Sequence, residues 1–128
     1  MMLGSEQVDQ ALLDRLAGRV TLAGGKRETL TVEAPFTAQT LGTLPMCMPE
    51  DVLEAVVRAR SAQQSWARMS FKDRARVLLR FHDLIWDRRE EILDLIQLET
   101  GKARNHAYEE VADNAIMARY YAFHAKDI

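Results

Sequence analysis

The sequence has little cysteine, no long apolar run and no surplus of basic charge. Cys47 is the single cysteine among 128 residues, so an intrachain disulfide and a cysteine-based metal cluster are excluded. The 17 basic and 19 acidic residues give a net charge of −2, which disfavours nucleic-acid binding. No apolar run reaches the roughly 18 residues of a membrane span, and Met1–Gly18 lacks the basic start and apolar block of a leader. We therefore expect a cytoplasmic protein whose partners are neither nucleic acid nor membrane.

The remaining reactive side chains do not form an evident catalytic or metal site. Cys47 stands between two prolines in Pro-Met-Cys-Met-Pro, with no histidine near it in the sequence, and we interpret it as structural. His82, His106 and His124 do not show the helical spacing of zinc ligands, so we interpret them as surface or packing residues.

The first third of the chain contains the β structure that the pattern predicts. Helical spacing of apolar residues predicts a helix over Ser5–Ala17 with Ser5 as its N-cap, and the Gly24-Gly25 pair then interrupts the chain. Thr29–Glu33 alternates with the period of a half-buried strand, and Thr40–Leu44 follows as a second short strand. These two strands predict a β-hairpin.

Everything after Pro49 is predicted to be helical. The four helices begin at Pro49, after the N-cap Ser70 (with Asp73 available for a reciprocal cap), after the charged run Asp87–Glu91, and at about Arg104, the last ending near Lys126. The residues expected to face a core are Val52, Ala55, Val56 and Ala59, running toward Trp66; Val77, Leu78, Phe81 and Ile85; Ile92, Leu95 and Ile96; and Val111, Ala115, Ala118 and Ala122.

The stretch Leu98–Val111 joins the last two helices. Its Glu-Thr-Gly-Lys sequence is either a part of an active site or only the corner where one helix ends and the next begins. Gly101 can adopt the left-handed conformation that ends a helix, and Lys102 then lies near the negative end of the helix dipole. Local chemistry thus favours a structural corner. The last helix carries a seam of small residues, formed by Val111, Ala115, Ala118 and Ala122, and this seam has no evident partner in the sequence. A compact α/β unit would also continue into another strand after Ile128. We therefore expect this sequence to be part of a longer chain.

Four motifs in a fixed order identify a family resemblance. They are Ser65-Trp66, Asp73-Arg74-Ala75, Leu98–Lys102 and Arg119–Ala122. Together with the hairpin, and over roughly Thr29–Ile128, they resemble the N-terminal portion of the NAD(P)-dependent aldehyde dehydrogenase superfamily.

Three local features refine that resemblance. Ala38 stands where the family often has a turn glycine, and Ala103 stands where proline usually follows Gly-Lys. Gly-Lys-Ala-Arg followed by Glu109-Glu110 is similar to the bacterial succinate-semialdehyde dehydrogenases.

The resemblance implies a fold and an activity. The fold is mostly α with one short β-hairpin, the N-terminal part of a Rossmann-type α/β cofactor-binding domain that stops before most of its sheet. Residues 1–27 would form a helical extension with a glycine-containing loop, and residues 28–128 the incomplete domain. The parent enzyme would oxidise an aldehyde, with succinate semialdehyde as the candidate, to the acid with NAD or NADP through a cysteine thiohemiacetal. Its implied partners are the rest of that chain and a small aldehyde, in a homo-oligomer.

No catalytic or cofactor-binding residue is assigned within this chain. Cys47 matches no catalytic position of the family, and Gly24-Gly25 precedes a strand instead of following one, unlike a dinucleotide turn. The 128 residues alone are therefore expected to be inactive.

The resemblance carries two sets of possible site residues. Glu99, with Val32 and Glu33 on the first strand, matches positions that hold a structural monovalent cation in the family. The alternative is that Glu99 is simply a capping or surface acid. Three other residues, Glu109, Asp113 and Met117, would flank the mouth of the aldehyde tunnel, or else form a solvated helix face. An acidic mouth would repel an aldehyde that carries a carboxylate, so either these acids point elsewhere or the subgroup is different.

A second hypothesis is a free-standing helical interaction module that docks a partner through its alanine seam. The coding DNA after Ile128 would distinguish the two hypotheses. The identity of the aldehyde, the choice between NAD and NADP, and the oligomeric state stay open.

Overall fold

The computed structural model describes residues 10–20 and 22–127, so the predicted N-cap Ser5 lies outside the described residues. These residues fold into two compact units, one ending at Arg58 and the other beginning at Ala59. The elements in chain order are α1 (Gln10–Ala17), β1 (Thr29–Glu33), β2 (Thr40–Pro45), α2 (Pro49–Arg68), α3 (Phe71–Asp87), α4 (Arg89–Thr100) and α5 (Arg104–His124). The mostly helical fold with one β-hairpin is confirmed.

The first unit is organised around the antiparallel pair β1–β2, against which α1 packs. Leu30 pairs with Leu44 and Thr31 with Thr43, and a bulge falls between Val32 and Glu33. The hairpin turn bonds the Ala34 N–H to the Gln39 carbonyl at 2.9 Å and places Ala38 at φ 55°. Because an L-residue meets a steric cost at positive φ, glycine would adopt this turn conformation with less strain than Ala38 does.

The second unit has its core where α3, α4 and α5 meet. Ile85 of α3 and Leu93 of α4 cluster with Ala107, Val111 and Ala115 of α5. The small residues of α5 allow close approach of the neighbouring helices, and they are fully or nearly fully buried. The expectation that the seam Val111, Ala115, Ala118 and Ala122 has no internal partner is therefore wrong, because α3 and α4 cover its first part and all four residues are buried.

Helix ends follow the local signals in the sequence. Ser70 Oγ accepts a hydrogen bond from the Asp73 N–H at 3.2 Å, as predicted for an N-cap. The reciprocal bond differs from the expected one, because Asp73 Oδ2 accepts from the Ser70 hydroxyl at 2.6 Å instead of from its backbone. The charged run Asp87–Glu91 is a helix junction, with α3 ending at Asp87 and α4 beginning at Arg89.

Two apolar stripes predicted to face a core are exposed. Along α2 the single buried residue is Asp51, and Val52, Ala55, Val56 and Ala59 all face outward. On α3, Ile85 is buried and Leu78 half-buried as expected, whereas Val77 and Phe81 are exposed. Helical period identifies an apolar face but not what covers it, so the prediction failed where no described element lies against that face.

Candidate functional site at the corner between α4 and α5

The corner is built from residues that end a helix. Gly101 adopts φ 71°, the left-handed conformation, and its N–H donates to the Gln97 carbonyl at 2.9 Å. The Thr100 hydroxyl donates to the Ile96 carbonyl at 2.6 Å and accepts from the Lys102 N–H at 3.3 Å. These bonds satisfy backbone groups that the end of α4 would otherwise leave without partners.

Ion pairs connect the two helices across this corner. Arg104, the first residue of α5, donates to Glu90 at 2.5 Å, to Asp94 at 2.6 Å and to Gln97 Oε1 at 2.7 Å. These three acceptors lie along one face of α4. Hydrogen bonds to Asp94 and Glu90 raise the pKa of the Arg104 guanidinium above its usual value.

Lys102 completes the corner by pairing with Glu110 one turn and a half into α5. Lys102 and Arg104, the basic residues of Gly-Lys-Ala-Arg, thus form ion pairs with acidic side chains of the same unit. These four residues include no nucleophile with an adjacent base. The chemistry of this stretch, as the described residues show it, is that of a structural corner.

The predicted tunnel-mouth residues share one outward face of α5. Glu109, Asp113 and Met117 follow each other at four-residue intervals and all three are exposed. His106 Nδ1 lies 3.5 Å from Glu109 Oε2, an exposed pair with little energetic weight. Their common face is as predicted, and their place at a tunnel mouth stays a prediction.

The predicted cation ligands fall in both units. Val32 and Glu33 are consecutive at the end of β1 in the first unit, and Glu99 is exposed in the last turn of α4 in the second. Among the described residues no group of three histidine, cysteine or acidic side chains is placed to hold a metal ion. The cation site therefore stays a prediction.

The loop at Gly24-Gly25 does not fit a dinucleotide phosphate. The carbonyl oxygens of Ala23 and Gly24 accept from the Arg27 guanidinium at 3.1 and 3.4 Å. A phosphate cradle requires N–H groups directed at the anion, whereas this loop directs carbonyls at a cation.

Asp51 is the residue that sequence reasoning missed. It is 3% exposed, and its carboxylate accepts from Arg27 Nη2 at 2.8 Å, from the Met48 N–H at 2.7 Å and from the Ala23 N–H at 2.5 Å. These hydrogen bonds, the one from Arg27 foremost, hold the pKa of Asp51 well below its usual range. In the sequence, the position of Asp51 in the first turn of α2 is the one indication that its carboxylate accepts hydrogen bonds.

The other residues of reactive type are not grouped into a site. Cys47 is an exposed free thiol. His82 accepts from the Trp86 indole N–H at 3.2 Å, so it serves as a packing residue. None of the described helices has the length and apolar character needed to cross a membrane.

In chain order the described residues form a β-hairpin, the long helix α2 and the helices α3, α4 and α5, with the Glu-Thr-Gly-Lys corner between the last two. The sequence pattern of the aldehyde dehydrogenase family matches residues 22–128. The chain belongs to the aldehyde dehydrogenase family.

Specific relatives agree with this assignment. The chain is 43% identical over 96 residues, 75% of its length and 19% of the relative's, to a protein of Mycolicibacterium smegmatis provisionally named succinate-semialdehyde dehydrogenase (NADP(+)). A similarly named protein of Mycobacterium ulcerans is 45% identical over 96 residues, covering 75% of this chain and 18% of that protein. The solved aldehyde dehydrogenase of Bacillus cereus (G224D mutant) superposes with a TM-score of 0.75 and 34% identity, over 85% of this chain and 22% of that one. The chain thus spans about a fifth of the length of the relatives it matches.

Proposed function

We propose that the chain is the N-terminal part of an aldehyde dehydrogenase that oxidises succinate semialdehyde to succinate, with NADP as the favoured acceptor over NAD. The observation that carries the proposal is the identity of 43% and 45% to two mycobacterial proteins provisionally named for that substrate and cofactor. The nucleophile, the general base and the dinucleotide turn would come from the rest of the parent chain. The parent would be a cytoplasmic homo-oligomer.

Within that enzyme this segment supplies a preformed surface and not reacting groups. The ion pairs of Arg104 fix the start of α5 on α4, and α5 in turn presents Glu109, Asp113 and Met117 on one face. If that face borders the aldehyde path, its two carboxylates disfavour an anionic substrate. Glu99, Val32 and Glu33 would hold a structural cation of the parent.

A graft tests the activity. Residues 22–128 replace the matching segment of the M. smegmatis relative, and formation of NADPH or NADH is followed with succinate semialdehyde. We expect activity from the graft, with NADP preferred, and none from the 128-residue chain alone. A folded but inactive graft contradicts the proposal, as does aldehyde oxidation by the chain alone that survives Cys47→Ala.

The tunnel-mouth residues are tested in the same graft. Glu109→Gln together with Asp113→Asn should lower KM for succinate semialdehyde, because a repulsive charge is removed, and leave KM for an uncharged aldehyde unchanged. Glu54→Gln, an exposed acid of α2, is the matched control. Equal KM values for all variants would place the α5 face away from the substrate path.

The alternative, an interaction module that docks through its alanine seam, loses its proposed surface. Ala115 and Ala122 are buried within the chain, so this seam is not available to a partner. An open reading frame that continues beyond Ile128 into a strand would favour the enzyme segment. A stop codon there, with a stable monodisperse product, would favour a module that uses another surface.

A further inference from the structure

Trp86 is held by two partners at the contact between α3 and α5. Its indole N–H donates to Nε2 of His82, one turn earlier on α3, at 3.2 Å. Its ring lies 6.0 Å from the ring of Tyr108 on α5, measured between centroids, with 49° between the two planes. Trp86 also packs against the buried cluster formed by α3, α4 and α5. A change in its hydrogen bond to His82 would therefore act where these helices meet.

The two hydrogen bonds of His82 define its protonation state. An indole nitrogen is a donor only, so His82 Nε2 must be the unprotonated nitrogen of a neutral ring. The proton of that ring is then on Nδ1, which lies 3.0 Å from Oδ1 of Asp83 and donates to it. The imidazole side chain is 18% exposed, so water has limited access to replace either partner. His82 thus connects a carboxylate on one side to the indole of Trp86 on the other.

The charged and titratable groups around this pair of rings come from three helices. On α3, Asp83 is the acid beside the imidazole. On α5, Tyr108 presents its ring to the indole. On α4, Arg89 donates to the Trp86 carbonyl at 3.1 Å. Of these groups, Asp83 is the one that can pair with a protonated imidazole.

Protonation of His82 is incompatible with its bond to Trp86. A proton taken from solvent binds Nε2, the nitrogen that accepts from the indole, and no bond between heavy atoms changes. Two N–H groups then face each other, and neither can accept. The imidazolium keeps Asp83 as its partner, because the Nδ1–H is unchanged and the contact becomes an ion pair. Trp86 therefore loses its hydrogen-bond acceptor.

We propose that His82 is a proton-sensitive latch on Trp86, closed when the imidazole is neutral and open when it is protonated. The transition falls between about pH 8 and pH 5, the range in which histidine side chains usually change charge. With the latch open, the indole is held by packing alone, and the contact of α3 with α5 becomes looser. The latch goes beyond the proposed function, because it needs neither substrate nor cofactor.

Fluorescence of Trp86 tests the latch in the 128-residue chain. Trp66→Phe removes the other tryptophan of the sequence, so the emission comes from Trp86. Intensity and anisotropy are followed over the same pH range at submicromolar concentration, which limits self-association. We expect both to fall in one transition toward acid, because an imidazolium quenches a neighbouring indole and an indole without its hydrogen bond moves more freely.

Three variants in the Trp66→Phe background assign the transition. His82→Gln supplies an oxygen that can accept from the indole N–H but does not titrate, so the transition should be lost. His106→Gln is the matched control and should keep it, because His106 is an exposed histidine whose ion-pair partner is Glu109. Asp83→Asn removes the carboxylate beside the imidazole and should move the midpoint about 0.2–0.7 pH unit lower, the size expected for a largely exposed pair.

Several results would overturn the proposal. An intensity that falls while anisotropy stays constant would mean that protonated His82 quenches an indole that stays in place. A transition that persists in His82→Gln would assign it to another group, and the absence of any transition would refute the latch outright. Far-UV circular dichroism that changes in the same pH range would show unfolding instead of a local release. If His82→Gln does not fold, Asp83→Asn decides, since a midpoint that does not move lower contradicts the latch.

Discussion

The guanidinium of Arg27 and the carboxylate of Asp51 form a two-point ion pair, with Nε and Nη2 at 3.1 and 2.8 Å from the two carboxylate oxygens. Twenty-four residues separate them in the sequence. Their side chains are 10% and 2% exposed, so the pair is nearly closed to solvent. The pair joins the loop before β1 to the first turn of α2 and thereby ties the two ends of the hairpin region together.

The first prediction concerns Asp51 and acid. Its folded pKa is depressed below the ordinary value of 3.8, so its contribution to stability is complete above that value and is lost as pH falls through the folded pKa. Asp51→Asn should lower the melting temperature at pH 7 and flatten the acid dependence below about pH 4. Circular-dichroism melts from pH 7 to pH 2 measure both effects.

Glu54→Gln provides the control for Asp51. Glu54 lies on the same helix and contacts Arg58 at 3.5 Å, with both side chains largely exposed. We expect its melting curve to stay close to that of the parent chain, because exposed pairs contribute little. An Asp51→Asn variant that melts like Glu54→Gln would show that the buried pair does not hold the first unit together.

The second prediction compares two neighbours at the corner. Gly101→Val places a β-branched residue at φ 71°, which should cost roughly 1–2 kcal/mol. Lys102→Ala removes an exposed ion pair worth about 0–1 kcal/mol. Urea unfolding of the two variants should give the larger loss of stability for Gly101→Val. A larger loss for Lys102→Ala would mean that the corner depends on charge more than on backbone conformation.

The third prediction is a stabilising change in the hairpin turn. Ala38→Gly removes the strain of a side chain at φ 55°, and we expect a gain of up to about 1 kcal/mol in the free energy of unfolding. Ala34→Gly, in the same turn, should act in the opposite direction, because Ala34 is buried and its methyl group is packed. Chemical denaturation measures the change in the free energy of unfolding for each variant and shows whether the two changes have opposite signs. A loss of stability with Ala38→Gly would contradict the strain.

The fourth prediction is that the isolated chain self-associates and binds hydrophobic dye. The reason is the outward apolar faces of α2 and α3, where Val56 and Phe81 are each about half exposed. Sedimentation and dye fluorescence at micromolar concentration measure the two effects. Phe81→Ser should reduce both, and Phe81→Leu, which keeps an apolar side chain, should not. A compact monomer that binds no dye would contradict this prediction.

The sequence by itself determined the local structure. The sequence pattern predicts a strand over Thr29–Glu33, which has those bounds in the structure, and it predicts Gly101 as the left-handed end of a helix, which is confirmed. Pro49 begins α2 and Ser70 caps α3, as predicted. These features depend on residues within a few positions of one another, so a single stretch of sequence contains their whole physical cause.

The tertiary structure alone decided which apolar faces are covered and which polar groups meet. Val77 and Ile85 belong to one predicted stripe, yet α5 and α4 cover only Ile85, because coverage depends on the position of other helices. The alanine seam of α5 had no partner in the sequence pattern and has one in the fold. Arg27 and Asp51 likewise form a pair that no local spacing predicts, since chain folding and not sequence distance brings their charges together.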